Sequence, residues 1–253
     1  GGAERIMINL ANYMIKNNIN VNIAVVRDSG PLKNIINHDI VINVLSANRV
    51  LFSLLSLTKF ISKYKPDIVL STLKHVNILN VMAFKLSLTK TKSVVREACH
   101  IIDGEDKNFH TKISERLMKI FYPMADLIIS VSEGVKESLI KKISIDSKKI
   151  VVLNNPTIVK RKIKINKNLD LLDWFSKSDS IQYLILAIGR LSYQKDFSTL
   201  IKAFSYCTIK VNAKLLILGD GNDRNNLEKI INKLNLNQKI LLGGFVDDID
   251  EFM

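Results

Sequence analysis

A chain of 253 residues with 47% hydrophobic and 24% charged residues has the composition of a globular protein, of one large or two ordinary domains, which excludes a disordered chain. Its formal net charge of +13 asks for an anionic partner, and the lack of a basic tract interleaved with aromatic residues excludes a nucleic-acid module. What remains is an anionic lipid surface, a phosphorylated substrate, or a lysine-rich composition with no partner behind it.

The chain opens on Gly1-Gly2-Ala3-Glu4-Arg5, a glycine turn leading into Ile6, Met7, Leu10, Ala11 and Met14 at the spacing of an apolar helical stripe. No signal peptide is recognisable at this end, and no uncharged apolar run approaches the ~20 residues of a spanning helix, so the expected location is the cytoplasm. Residues 21–26 and 40–45 read as short strands. The stretch Arg49-Val50-Leu51-Phe52-Ser53-Leu54-Leu55-Ser56-Leu57, followed by Lys59, Lys63 and Lys65, has two readings: a core helix, or an interfacial helix whose lysines reach anionic headgroups.

Pro66-Asp67 introduces a buried strand at 68–72, with a helix at 78–88. Strands at 94–95 and 127–131 repeat the pattern, with helices at about 111–124 and 133–141, and 150–156 closes the series with a strand and a turn. Such alternation is what a parallel, doubly wound sheet produces. Glu97, His100 and Asp103 follow a strand on the side where open α/β sheets take ligands; an ordinary polar loop is the alternative. Ser132-Glu133-Gly134 reads as a helix cap. Cys99 and Cys207 are too far apart for a metal pair and are expected as small buried hydrophobes in a reducing compartment.

Residues 157–180 are crowded with Lys, Asn and Asp and read as an interdomain connection with one short helix around 171–175. The expected organisation is therefore a domain at 1–157, a linker at 158–181 and a second domain at 182–253. The second domain begins with an apolar strand that meets Gly189, presents Arg190 and then Lys195, and passes into a helix through Phe197, Leu200, Ile201 and Phe204. A buried strand thus delivers two cations to a helix N-terminus, an anion-binding arrangement or a plain βα turn with two solvated cations. Residues 213–218 form a further strand ending in Gly219-Asp220-Gly221, a weak nucleotide signal with a simple turn as the alternative. A helix carrying Leu227, Ile230, Ile231 and Leu234 and a strand at 240–242 lead to Gly243-Gly244-Phe245-Val246. Asp247, Asp248 and Asp250 cluster without the glycine and glutamate of a calcium loop, so no metal is expected.

Gly189-Arg190-Leu191 with Gln194-Lys195-Asp196-Phe197 and the helix after it resembles the donor-binding signature of family 4 of the retaining glycosyltransferases. Gly1-Gly2-Ala3-Glu4-Arg5 and the Asn154-Asn155-Pro156 crossing are similar to that family too. The resemblance implies an α/β GT-B fold, two Rossmann-like doubly wound domains with parallel sheets, here lacking a first strand and with the second domain incomplete. It implies that Arg190 and Lys195 grip the donor diphosphate, that Gly189, Gly219, Gly221, Phe245, Val246, Gly1 and Gly2 line the donor site, and that Glu97 and His100 face the reacting sugar. Implied partners are a nucleoside-diphosphate-sugar and a glycan or lipid-linked acceptor, with no cofactor, no metal and no nucleic acid, at the inner face of the membrane. A Glu-seven-residues-Glu element of the family is not found before Met253, so the 253 residues alone are expected to turn over poorly. A binding module without activity and a nucleotide-sugar epimerase are the alternatives.

Overall fold

Short runs rich in Val, Ile and Leu form the strands, and the amphipathic segments between them cross back as helices. The computed structural model describes residues 2–26, 31–45, 50–101, 109–156, 174, 183–208 and 211–246. The chain divides into two compact units, Gly1–Thr157 and Ile158–Met253.

The first unit begins with α1 (Gly2–Lys16), β1 (Asn22–Val25) and β2 (Val41–Val44), the two strands pairing in parallel. A 3-10 turn at Val50–Ser53 runs into α2 (Leu54–Tyr64). Then follow β3 (Ile68–Thr72), α3 (Lys74–Ser87), β4 (Lys92–Glu97), α4 (Phe109–Phe121), β5 (Leu127–Ser130), α5 (Glu133–Ile143) and β6 (Ile150–Val152). These strands form a parallel sheet in the order β3-β4-β5-β6. Sequence alternation predicts one doubly wound sheet, whereas β1 and β3 exchange no backbone hydrogen bond, so the described strands form a pair and a four-stranded sheet. Ile78 and Val81 of α3, Met118 and Tyr122 near the end of α4, and Leu139 and Ile143 of α5 pack on Val95, Ile128 and Ile150. A smaller cluster joins Leu57 and Ile61 of α2 to Ala83 and Leu45, so the inner face of α2 belongs to the core.

The second unit is a three-stranded parallel sheet, β7 (Tyr183–Ile188), β8 (Ala213–Leu218) and β9 (Ile240–Gly244), crossed by α6 (Phe197–Cys207) and α7 (Arg224–Lys233). All six positions of β8 are buried, as expected for a central strand covered on both faces. Ile201, Phe204, Leu227 and Ile231 pack on Leu215, Ile217 and Leu242; each full burial contributes roughly 1.5–3 kcal/mol. Lys214 is the polar exception in β8. Its Nζ donates to the Trp174 carbonyl and sits 4.5 Å above the indole centroid.

Two details differ from the sequence reading. α3 starts at Lys74 rather than 78, because Asn77 and Asn80 lie on its buried face and interrupt the apolar stripe. They are held by hydrogen bonds: Asn77 accepts from Ser71 Oγ at 2.8 Å, and Asn80 Nδ2 donates to Ser71 Oγ at 3.0 Å. Cys99 and Cys207 are exposed, not buried, since one sits in the turn after β4 and the other in the last turn of α6. The expected linker at 158–181, with its helix at 171–175, lies outside the described residues apart from Trp174.

Candidate functional site

At the C-terminal edge of the second unit's sheet, two strand-to-helix turns are laced together through their backbones. The Gly189 amide donates to Leu218 O at 2.9 Å and the Leu191 amide to Asp220 O at 3.0 Å, while Leu191 O accepts from the Asp223 amide at 3.1 Å. The glycines are dictated by this contact. Gly219 sits at φ +139°, and a Cβ there would lie 1.9 Å from Gly189 O; one on Gly221 would lie 2.2 Å from Leu191 O. Their close approach is therefore to the neighbouring turn, a job the weak glycine signal alone does not reveal.

The laced turns border an open hollow of about 480 Å³ lined by Arg190, Leu191, Ser192, Asp220, Gly221 and Asn222. Leu191 is fully buried and anchors the first turn, leaving Arg190 exposed beside it. The stem of Lys195 passes over Gly189, its Cδ and Cε each 3.7 Å from where a Cβ would stand, and the Phe197 ring lies 3.3 Å from the same point. Glycine at 189 thus makes room for the Phe197 ring, while the lysine stem lies at ordinary contact distance. Among the described residues neither Arg190 nor Lys195 has an ion-pair partner. Asp220 shares the cavity with Arg190 without pairing to it; its Oδ1 accepts from the Gly221 amide at 2.8 Å.

The N-terminus of α6 is less open than the sequence suggests. Asp196, at φ 48°, caps it by accepting from the Thr199 amide at 3.3 Å and from Ser198 Oγ at 2.9 Å. Hydrogen bonds from Thr199, and then Ser198, hold its carboxyl below the usual range. The positive character of this turn therefore comes from the two cations rather than from a bare helix end. The Gly219 amide donates to Gly244 O at 2.7 Å, which sets exposed Phe245 and half-buried Val246 at the exit of β9 on the same sheet edge. Ser192, Asp220 and Asn222 are cavity residues that sequence reasoning missed; the signal available for Asp220 and Asn222 is their alternation with the glycines right after β8.

The remaining candidates sit in the first unit. Glu97, only 2% exposed, points inward: Oε2 accepts from Tyr122 Oη at 2.7 Å, and Oε1 from the amides of Ala98 and Cys99 at 3.1 and 3.2 Å. Tyr122 Oη also accepts from Asn77 Nδ2 at 3.1 Å. Burial, followed by the charge of Glu97, pushes the Tyr122 phenol far up and keeps it a donor. The expectation of a catalytic Glu97 is corrected to a buried brace, because both carboxylate oxygens are spent on internal partners. His100 is exposed, with Cδ2 3.7 Å from the Cβ position of Gly134 in the first turn of α5. Ser132 caps that helix by accepting from the Val135 amide at 3.3 Å, as its sequence predicts. No hydrogen bond between His100 and Glu97 is found. Gly2 opens α1, whereas Gly1, Asp103, Asp247, Asp248 and Asp250 lie outside the described residues. Among the described residues no three His, Cys, Asp or Glu side chains gather as a metal-ligand set.

Residues 1–161 match the family model of Glycosyltransferase Family 4, and residues 170–253 that of Glycosyl transferases group 1. Over 182 residues the chain is 32% identical to the N-acetylgalactosamine-N,N'-diacetylbacillosaminyl-diphospho-undecaprenol 4-alpha-N-acetylgalactosaminyltransferase of Campylobacter jejuni, covering 72% of this chain and 47% of that protein. The amylovoran biosynthesis glycosyltransferase AmsD of Erwinia amylovora is 24% identical over 240 residues, 94% of this chain and 64% of its own length. The chain thus spans about half to two thirds of these relatives. Anabaena Alr3699/HepE, solved in complex with UDP-glucose, superposes with a TM-score of 0.74 at 18% identity, over 100% of this chain and 68% of that one. The likeness establishes the α/β GT-B fold that the motifs imply.

Proposed function

The chain belongs to glycosyltransferase family 4, and on that premise we propose that it serves the transfer of a sugar from a nucleoside-diphosphate-sugar to a glycan or lipid-linked acceptor, with retention. The observation that carries this reading is the pair Arg190 and Lys195, without an ion-pair partner among the described residues, at the laced turns beside the 480 Å³ hollow. A departing diphosphate gains negative charge as the sugar bond breaks, and fixed cations aimed at it stabilise that charge. The same cations fill the place a divalent metal would otherwise take, so no cofactor is invoked. Retention follows from displacement on the front face, where the leaving phosphate takes the proton of the acceptor hydroxyl. Asp220 and Asn222 offer an acceptor and a donor for hydroxyls of the bound nucleotide-sugar.

The relatives support the substrate classes. HepE was solved with UDP-glucose, the Campylobacter enzyme's name places its acceptor on diphospho-undecaprenol, and AmsD serves amylovoran biosynthesis. The test is to incubate the protein with UDP-sugars in the presence and absence of a polyprenyl-diphosphate-sugar. Acceptor-dependent UDP release supports transfer; conversion of donor alone points to epimerisation, and bound but unconsumed donor to a binding module.

A peripheral position on the inner face of the membrane is favoured by one specific surface. Phe52 and Leu55 are 68% and 70% exposed at the start of α2, and Lys59, Phe60, Lys63 and Tyr64 line a shallow hollow further along it. Apolar side chains next to lysines suit an anionic lipid interface. Among the described residues no helix is long and apolar enough to cross a membrane.

A further inference from the structure

The hollow at the laced turns holds a negative charge as well as a positive one. Among the residues that line it, Arg190 is the cation and Asp220 the anion, with Ser192 and Asn222 as neutral polar groups. The two charges do not neutralise each other: among the described residues neither side chain has an ion-pair partner. Asp220 is also fixed in place. Its carbonyl accepts from the Leu191 amide at 3.0 Å, and its Oδ1 accepts from the Gly221 amide at 2.8 Å, which leaves Oδ2 without a partner among the described residues.

The other acids of these turns are spent elsewhere. Asp196 caps α6 through Ser198 and Thr199, and Asp223 Oδ1 accepts from Asn226 Nδ2 at 3.1 Å; neither lines the hollow. A ligand seated beside Arg190 therefore meets the carboxylate of Asp220. A cation and an unpaired carboxylate held in one hollow respond to how much negative charge a ligand carries as well as to its sign, because specificity is sharpened by a repulsive element beside the attractive one. In a diphosphate esterified at both ends each phosphate carries a single negative charge, whereas a free terminal phosphate carries about −1.5 to −2 near neutral pH. A neutral hydroxyl in the same place donates to Oδ2 instead of being repelled by it.

We propose that Asp220 is a specificity-determining residue, which selects by repulsion a nucleoside diphosphate whose outer phosphate is esterified to a neutral sugar over nucleotides that end in a free phosphate. The role of the favoured ligand as sugar donor rests on the transferase reading; the selectivity is a binding property of the hollow.

Calorimetry on the whole chain, in buffer free of divalent cations that would neutralise the phosphates, compares UDP-glucose with UTP for the parent, Asp220→Asn and Asn222→Asp. Asparagine at 220 keeps an oxygen for the Gly221 amide and removes the charge. The ratio of the UTP Kd to the UDP-glucose Kd is expected to fall several-fold in Asp220→Asn and to rise several-fold in Asn222→Asp, which adds a second carboxylate to the same hollow. Should Asn222→Asp fail to fold, Asp220→Asn decides alone. A ratio that stays within about twofold of the parent's in Asp220→Asn overturns the proposal, including the case in which both ligands weaken together and the carboxylate serves as a hydrogen-bond acceptor alone. So does a parent that binds neither ligand. Absent acceptor-dependent transfer alongside a ratio that follows the charge at Asp220 sinks the transferase reading and leaves the selectivity standing.

Discussion

Among the described residues Arg190 and Lys195 have no ion-pair partner, and on the proposed donor-binding role their removal should be read as lost affinity with little change in folding. Each alanine substitution removes charge-assisted hydrogen bonds that contribute roughly 1.5–3 kcal/mol, so titration with UDP should show each variant weakened by at least about tenfold. Unchanged affinity in both would remove the assignment. Tyr122→Phe tests the brace: it strips Glu97 Oε2 of its donor and Asn77 Nδ2 of an acceptor, and should cost about 1–3 kcal/mol in denaturant unfolding. Asp196 supplies a pH dependence. Its folded pKa lies below 3.8, so its carboxylate contributes stability above that value and loses it as pH falls through the depressed one. The melting-temperature gap between the parent and Asp196→Ala should therefore be constant near neutrality and narrow below about pH 3.8, down to the part set by alanine at a left-handed position. At this scale the two cations were legible because a glycine after an apolar run marks the turn that carries them. Glu97 was not, because its neighbours Tyr122 and Asn77 are distant in sequence and only the fold shows that it points inward.

The laced turns make the second unit intolerant of a single methyl group. Gly219→Ala forces a Cβ against Gly189 O at a backbone angle that L side chains avoid, and Gly221→Ala presses on Leu191 O. Each is expected to cost on the order of 1–3 kcal/mol or more and to abolish UDP binding, whereas Asn222→Ala in the same cavity should fold normally; equal melting curves for all three would refute the packing account. Strands and most helices were readable from apolar periodicity, since β8 is apolar but for Lys214, β5 is apolar up to Ser130, and α6 carries a clean stripe. α3 was read short because hydrogen-bonded asparagines occupy its buried face. The separation of β1-β2 from β3-β6 was invisible, since strand order is a matter of backbone pairing and not of pattern.

Each unit has a main core of its own, around Met118, Tyr122 and Leu139 in the first and around Leu191, Ile201 and Leu227 in the second. Scanning calorimetry with UDP should raise the transition of the unit holding Arg190, by about 2.7 kcal/mol at a hundredfold excess over Kd, and leave the other in place. Vesicle binding tests the charge of +13: it should need anionic lipid, fade with salt, and be lost on replacing Lys59, Lys63 and Lys65 by Gln. Every strand pair described is parallel, and this has a consequence for how the chain acquires its structure. Among the described strands no hairpin is available to start a sheet locally, so each of these pairings must wait for its crossover to be made. On the ribosome, β3 emerges well before the partner that covers its edge, and the chain passes through a period of open, sticky strands. Slow refolding and a dependence on chaperones during synthesis are what such a chain should show, whatever sugar it handles.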